Sequence, residues 1–508
     1  MRLSPITALL AVSLLAAVLF TAGCIESPDQ VFPGPAGESG SGPDTTVEMK
    51  YFEEVTKVPR PSGHLTAIQN YLCAFAEEHH LEYETDAVGN VLIKHLGSSP
   101  SEHHIILQAH QDMVPAVREG SSFVFGKDSI KTYIKDWWLY AEETSLGADD
   151  GRGIATALAA LSSDELSDCS FDCIFTVDEE TTMSGAKNLS PDWLSADALL
   201  NIDTEHWGSV CVSSAGGAFV EAVFHPEREK TPVTACYRLF VSGLRSGHSA
   251  HLIDSGRLNA VKTAADFLSG LHDVELISCA GGSAKNVIPA SAEFIFTASD
   301  ENIPSLAAEY AASHAVDTDP DLKMEIVPVQ TPLTPWTKES TGQILSSLSS
   351  VPNGCFKKSE SCTLLSSNLG LLSTREDGTV SVICFPRGND PAECRSLVAE
   401  IENFFEEAGA ETSVSDEVSG WKEADDSPLV QMMVDVYRDM FHAEISVYMT
   451  HGCLECGYMA AKNPSLSVVS IGPDVENVHT VDERLNIETF LQLKQFVFEL
   501  VKKSCGNE

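Results

Sequence analysis

The feature that most constrains this chain is a set of short apolar runs, each stopping at residues of the kind that bind metal ions. Leu107-Gln108-Ala109 leads into His110, with Asp112 two positions on; Phe171 to Val177 leads into Asp178-Glu179-Glu180; Ala198 to Ile202 leads into Asp203-Thr204-Glu205. Ser145-Leu146-Gly147-Ala148-Asp149-Asp150-Gly151 sets a carboxylate pair among small residues before a helical pattern, and Val478-His479-Thr480-Val481-Asp482-Glu483 adds a second histidine. Singly, each is an ordinary core or surface feature. Together they share a position, and in open α/β sheets the carboxyl ends of strands are where ligand sites form.

The chemistry supports the same grouping. Two histidines and three carboxylates can hold a pair of zinc ions, one carboxylate bridging, with positions left open for water. A further free carboxylate must then accept and return a proton. Adjacent Glu179 and Glu180 suit a division between base and ligand, and Asp112 is spaced to orient the imidazole of His110.

At 508 residues the chain exceeds the roughly 250–300 at which a single core stops growing, so more than one folding unit is expected. Strand-like runs at Val91–Lys94, Ile105–Ala109, Phe171–Val177 and Ala198–Ile202 alternate with helical patterns near Leu65–His79 and Gly153–Leu161. That alternation predicts an α/β domain, a sheet covered by helices, over residues 47–212. Residues 418–508 repeat the style, with helices at Pro428–Phe441 and Ile487–Lys503 and a strand at Leu466–Ile471, and are read as the second part of the same domain. Residues 213–417 have their own strands (Arg238–Ser242, Glu293–Thr297, Val380–Cys384) and helices (Ala260–Leu271, Ala392–Glu407), and read as an inserted α+β domain.

Arg2, the apolar run Ile6 to Phe20 and the small residues Thr21-Ala22-Gly23 before Cys24 resemble a lipoprotein signal. This predicts a signal peptide at 1–23, an acylated Cys24, a disordered tether at 24–46 and an exported, membrane-anchored protein; an uncleaved anchor is the alternative. A formal charge of −42 argues against nucleic acid and anionic lipid surfaces, leaving the Cys24 lipid as the expected membrane contact. The fourteen cysteines are scattered without a zinc-finger framework and read as buried thiols, with disulfides the alternative in an exported protein.

Several motifs carry a resemblance. Gln108-Ala109-His110-Gln111-Asp112-Met113-Val114-Pro115, Leu146-Gly147-Ala148-Asp149-Asp150-Gly151, Asp178-Glu179-Glu180 and Asn201-Ile202-Asp203-Thr204-Glu205 are followed by Gly247-His248-Ser249, Gly281 to Pro289, Leu454-Glu455-Cys456-Gly457 and Ser470-Ile471-Gly472-Pro473. In this order they closely resemble the aminoacyl-histidine (cytosol nonspecific) dipeptidases, from Val47 to the C-terminus. The resemblance implies a di-zinc exopeptidase-type catalytic domain with a large inserted lid domain, acting on Xaa-His and other unblocked dipeptides. It implies His110, Asp149 and Glu180 as ligands on one side and Asp203 and His479 on the other, Asp149 bridging two zinc ions that manganese or cobalt can replace. Glu179 is then the general base, His248 polarises the scissile carbonyl, Arg387 meets the substrate carboxylate, and Asn286 and Glu455 are further substrate contacts. A homodimer is one allowed assembly.

Three departures bear on specificity. Asp150 stands where Asn is expected, Val478-His479-Thr480-Val481-Asp482 replaces a Pro-His-Ser-Pro-Asp pattern, and Ala250-His251-Leu252 replaces a Gly-Gly-Glu-like run. The alternatives are a related di-zinc tripeptidase, carboxypeptidase or N-acyl amino acid deacylase, or a non-catalytic peptide-binding lipoprotein. The last is disfavoured because all six ligand and base residues are present.

Overall fold

Parallel strands form the middle of an eight-stranded mixed sheet. Its order is Glu82–Thr85, Val91–His95, Phe171–Thr176, Ile105–His110, Ala198–Asn201, Ser467–Ser470, Ser209–Cys211 and Ser446–Tyr448. Phe171–Thr176, Ile105–His110, Ala198–Asn201 and Ser467–Ser470 run parallel to their neighbours within this set, and Val91–His95 joins antiparallel. Every residue of Ile105–His110 is buried, as expected of a central strand covered by helices on both faces. The computed structural model describes residues 46–98, 103–230, 235–331, 333–424 and 426–506. The expected signal segment and Cys24 lie outside these residues, as does the expected tether up to residue 45.

The helix Ala148–Leu161 is buried along its whole length, which its Gly and Ala content permits because small side chains let neighbouring elements approach closely. It packs against Val47–Lys57, Ile487–Ser504 and the strand Ile105–His110, and Phe52 meets Phe490 edge-on at 5.9 Å across the same core.

A second, nine-stranded sheet is antiparallel throughout. It runs Lys323–Pro328, Cys236–Ser242, Ala292–Thr297, Glu275–Gly281, Thr363–Thr374, Val380–Gly388, Gly216–Phe224, Glu411–Val418, with Gly354–Lys358 paired to Thr363–Thr374. Burial alternates along Cys236–Ser242, the pattern of a sheet with one covered face. Helices Ala260–Ser269, Lys338–Ser350 and Pro391–Glu407 supply that cover, making a core separate from the first. The first of these begins where the Asn259 side chain accepts the amides of Val261 and Lys262. The protein is thus a mixed α/β molecule carrying an inserted lid domain.

A small four-stranded sheet, Val475–Glu476, Arg484–Asn486, Trp138–Ala141 and Thr132–Lys135, holds the turn that carries His479. Among the described residues no cysteine is joined in a disulfide.

Tight backbone packing beside the parallel strands makes certain glycines irreplaceable. A Cβ on Gly472 would lie 1.5 Å from the Thr204 carbonyl oxygen, whereas one on Gly342, in the helix Lys338–Ser350, would meet open space. Gly472→Ala is expected to destabilise by more than about 2 kcal/mol. Gly342→Ala should stabilise by roughly 0.5–1 kcal/mol through helix propensity. Thermal unfolding of the two variants checks both signs.

Candidate active site

Three parallel strands deliver their acidic and imidazole side chains to one edge of the central sheet. His110 ends Ile105–His110, Glu179 and Glu180 follow Phe171–Thr176, and Asp203 follows Ala198–Asn201. Asp149 enters from the irregular first turn of Ala148–Leu161, where Asp149 and Asp150 leave helical geometry directly after Gly147 at φ 69°. His479 is held at φ 62°, a left-handed conformation that costs a side-chain-bearing residue about 1–2 kcal/mol and is sustained by the small sheet around it.

Asp149 offers one oxygen to each histidine. His110 Nε2 lies 3.2 Å from Asp149 Oδ1 and 3.3 Å from Asp203 Oδ1; His479 Nε2 lies 3.2 Å from Asp149 Oδ2 and 2.8 Å from Glu180 Oε2. The resemblance grouped Glu180 with His110 and Asp203 with His479. The shortest contacts pair them the other way, because His110 stands on the strand between those leading to Glu180 and Asp203 and turns Nε2 toward Asp203. Donor atoms of His110, Asp149 and Glu180, and those of His110, Asp150 and Asp203, also lie within 4.8 Å of one another.

The electrostatics explain what such a set requires. Burial, with Asp149 nearby, pushes the Glu180 carboxyl up to about 7, and burial raises Asp203 as well. Burial raises Glu179 well above the ordinary carboxylate range, His110 opposing and Glu180 adding to the rise. His479 reaches about 11: burial works against its charge, but Asp149 and Glu180 outweigh burial. Glu180 Oε1 is buried without a hydrogen-bond partner. Crowded buried acids, two imidazoles and an orphaned oxygen fit divalent cations, which would satisfy the oxygens and offset their repulsion.

Asp112 ties this edge together. Its Oδ1 stands 3.3 Å from His110 Nδ1 and accepts the Glu179 amide at 3.0 Å, while Oδ2 accepts the Glu180 amide at 3.2 Å and the Ser62 hydroxyl at 2.8 Å. One buried carboxylate therefore stands against a histidine ring and fixes the backbone of both glutamates. Buried Arg60 donates to the carbonyls of Gln111, Asp112 and Gly147, bracing the same loops. Glu483 accepts the amides of Gly147 at 2.8 Å and Asp149 at 3.2 Å.

The lid domain contributes a second cluster. His248 Nδ1 accepts the Ala250 amide at 3.3 Å, and Asn286 Nδ2, also a donor, lies 3.2 Å from Nε2, so the neutral ring can accept at only one of the two. Burial, then Arg387, lowers His248 to about 3, so the ring stays neutral at ordinary pH. Arg387 is 4% exposed, stacks on Phe385 at 4.1 Å, and among the described residues leaves Nε and Nη1 without hydrogen-bond partners. Its cross-strand neighbour Ser366 bonds His451 Nε2 at 2.7 Å, and Asn389 takes His451 Nδ1 at 3.1 Å.

Glu455 corrects an expectation. It was placed among substrate contacts, but it is 0% exposed and its Oε2 accepts Gln108 Nε2 at 2.8 Å and Thr176 Oγ1 at 2.7 Å. It belongs to the floor beneath His110, where burial pushes it up to about 7. Residues 451–455 thus bond the lid domain at one end and the central sheet at the other. The sequence reading passed over Arg60, Arg152 and His451; an arginine inside a run of glycines and alanines, as at Arg152, was the available signal.

Residues 106–503 match Peptidase family M20/M25/M40, and the chain belongs to that family, as a hydrolase acting on peptide bonds. Cytosol non-specific dipeptidase from Escherichia coli (strain K12) is 30% identical over 467 residues, covering 89% of this chain and 96% of that protein. The crystal structure of aminoacylhistidine dipeptidase from Vibrio alginolyticus superposes with a TM-score of 0.82 at 30% identity, covering 91% of this chain and 98% of that one. A tripeptidase from Staphylococcus aureus shares the fold at a TM-score of 0.54 and 17% identity, covering 91% and 98%.

The expected export and membrane anchoring are overturned by the first of these relatives, which is by name a cytosolic enzyme. No helix of the described residues is long and apolar enough to cross a membrane. The apolar run Ile6 to Phe20 that prompted the expectation is itself shorter than the ~20 residues a span needs.

Because Asp112 holds His110 and both glutamate amides, Asp112→Ala is expected to weaken divalent-metal affinity by about 10–100-fold. Titration of the metal-stripped variant with zinc measures this.

Proposed function

We propose that the protein is a two-metal dipeptidase that hydrolyses unblocked dipeptides, Xaa-His among them. His110, Asp149 and Asp203 would hold one zinc ion and Asp149, Glu180 and His479 the other, with manganese or cobalt able to substitute. The observation that carries this reading is Glu179. It sits beside the ligand cluster with its backbone fixed by Asp112, yet its carboxylate makes no hydrogen bond or ion pair among the described residues. A general base needs that freedom, because a carboxylate committed to a cation cannot accept a proton.

When bound, the two cations supply an acidified water and positive charge beside the scissile carbonyl. Glu179 takes the proton of the attacking water and returns it to the leaving amine. His248, kept neutral by burial, would turn a ring N–H toward the carbonyl oxygen as negative charge develops there. Arg387, buried with two unpartnered nitrogens, suits the free carboxylate of a short peptide. The names of the E. coli and Vibrio relatives support dipeptides as the substrate class.

Glu179→Gln preserves shape but not basicity, so it should retain metal while kcat falls by about 10²–10⁴-fold. Glu180→Gln should instead lose metal. Metal stoichiometry and kcat measured on both variants test the assignment, and the reverse pattern would exchange the two roles. His248→Ala should keep its metal and lose turnover; unchanged kcat/KM would remove His248 from the mechanism. A panel of dipeptides, tripeptides and N-acyl amino acids decides the substrate class, and the reading requires the dipeptides to be turned over fastest.

A further inference from the structure

The mechanism above makes no use of Arg152. Arg152 lies on the fully buried helix Ala148–Leu161, and its guanidinium is directly behind the ligand carboxylates. Nη1 donates to the Ala148 carbonyl at 3.0 Å and stands 3.4 Å from Asp149 Oδ1. Nη2 donates to the Asp203 carbonyl at 2.5 Å, reaches the Thr204 carbonyl at 3.4 Å, and stands 3.6 Å from Asp203 Oδ1. Nε is 3.8 Å from Asp150 Oδ1. Three carboxylates therefore surround one cation, and none of the four side chains has more than slight access to water.

Asp150 gives the arrangement its meaning. It is fully buried, with Oδ1 accepting the Gly153 amide at 3.0 Å and Oδ2 the His110 amide at 3.3 Å. A neutral Asn, the residue expected at this place, could accept only one of those amides through its oxygen. Burial opposes a negative charge on Asp150, set among Asp149 and Asp203, and Arg152 is the nearby cation that counters it.

We propose that Arg152 and Asp150 form a matched internal pair in which Arg152 acts as a positioning residue, a permanent cation that offsets Asp150 and holds Asp149 and Asp203 in their ligating places before any divalent ion arrives. The inference rests on the metal-site reading given above. It differs from a purely structural role in one respect: the need for Arg152 is greatest when the divalent ions are absent.

The test compares full-length wild type with Arg152→Met, Asp150→Asn, the double variant and Arg152→Lys. Each is stripped by chelator and examined by thermal unfolding, then titrated with zinc. Arg152→Met should lower the metal-free midpoint by roughly 5–15 °C, and by less once zinc is bound. Adding Asp150→Asn should recover at least half of that loss, although Asp150→Asn alone should lower the midpoint, and Arg152→Lys should recover part of it. Equal losses with and without zinc, or effects of Arg152→Met and Asp150→Asn that simply add, would overturn the pairing. Should Arg152→Met fail to fold, the double variant decides: folded, it supports the proposal; unfolded, it sinks it. Failure of the metal reading would show separately, as wild-type protein that takes up no zinc, while the metal-free comparison stands.

Discussion

Repulsion among carboxylates crowded at one edge of a sheet is the force around which this structure is organised. Asp149, Asp150, Glu179, Glu180 and Asp203 converge there because three parallel strands and one helix end at the same place. Bringing so many acids out of water is unfavourable unless cations and amides surround them. The chain supplies both: His110, His479 and Arg152 as charged or chargeable partners, and the Gly153 and His110 amides on Asp150. The helix Ala148–Leu161 also points its amino end at the cluster, where its dipole favours negative charge.

The lid domain follows the opposite electrostatic rule. Around Arg387 the neighbours are imidazoles and thiols rather than acids, and burial together with Arg387 lowers all three of the histidines beside it, His248, His251 and His451. His451 has both ring nitrogens occupied by Asn389 and Ser366, so its place is fixed. The molecule thus presents an acidic edge on one core and an unpaired buried cation on another.

The central sheet was legible because its strands are covered on both faces and so read as continuous apolar runs, as at Ile105–His110. The ligands were legible because they interrupt those runs. Which acid faces which histidine was not, since spacing along a chain does not say where a side chain turns; the shortest contacts set Asp203 beside His110 and Glu180 beside His479. Glu455 failed likewise: its motif was recognised, but only the fold shows its carboxylate turned toward Gln108 and Thr176. The strand Thr363–Thr374 escaped notice because its serines, threonine ends and central Gly370 lack a β-like apolar pattern, while the helix Lys338–Ser350 is masked by five serines.

The segment from His451 to Glu455 has a mechanical consequence. His451 is fastened to Ser366 on the nine-stranded sheet and to Asn389 just past the end of its strand Val380–Gly388, and Glu455 to Gln108 and Thr176 on the eight-stranded one. The intervening backbone, drawn fully straight, reaches only about 14 Å. While both fastenings hold, it is a leash of fixed length: the two bodies can swing apart no further than it allows, and a larger excursion must first break the bonds at one of its ends.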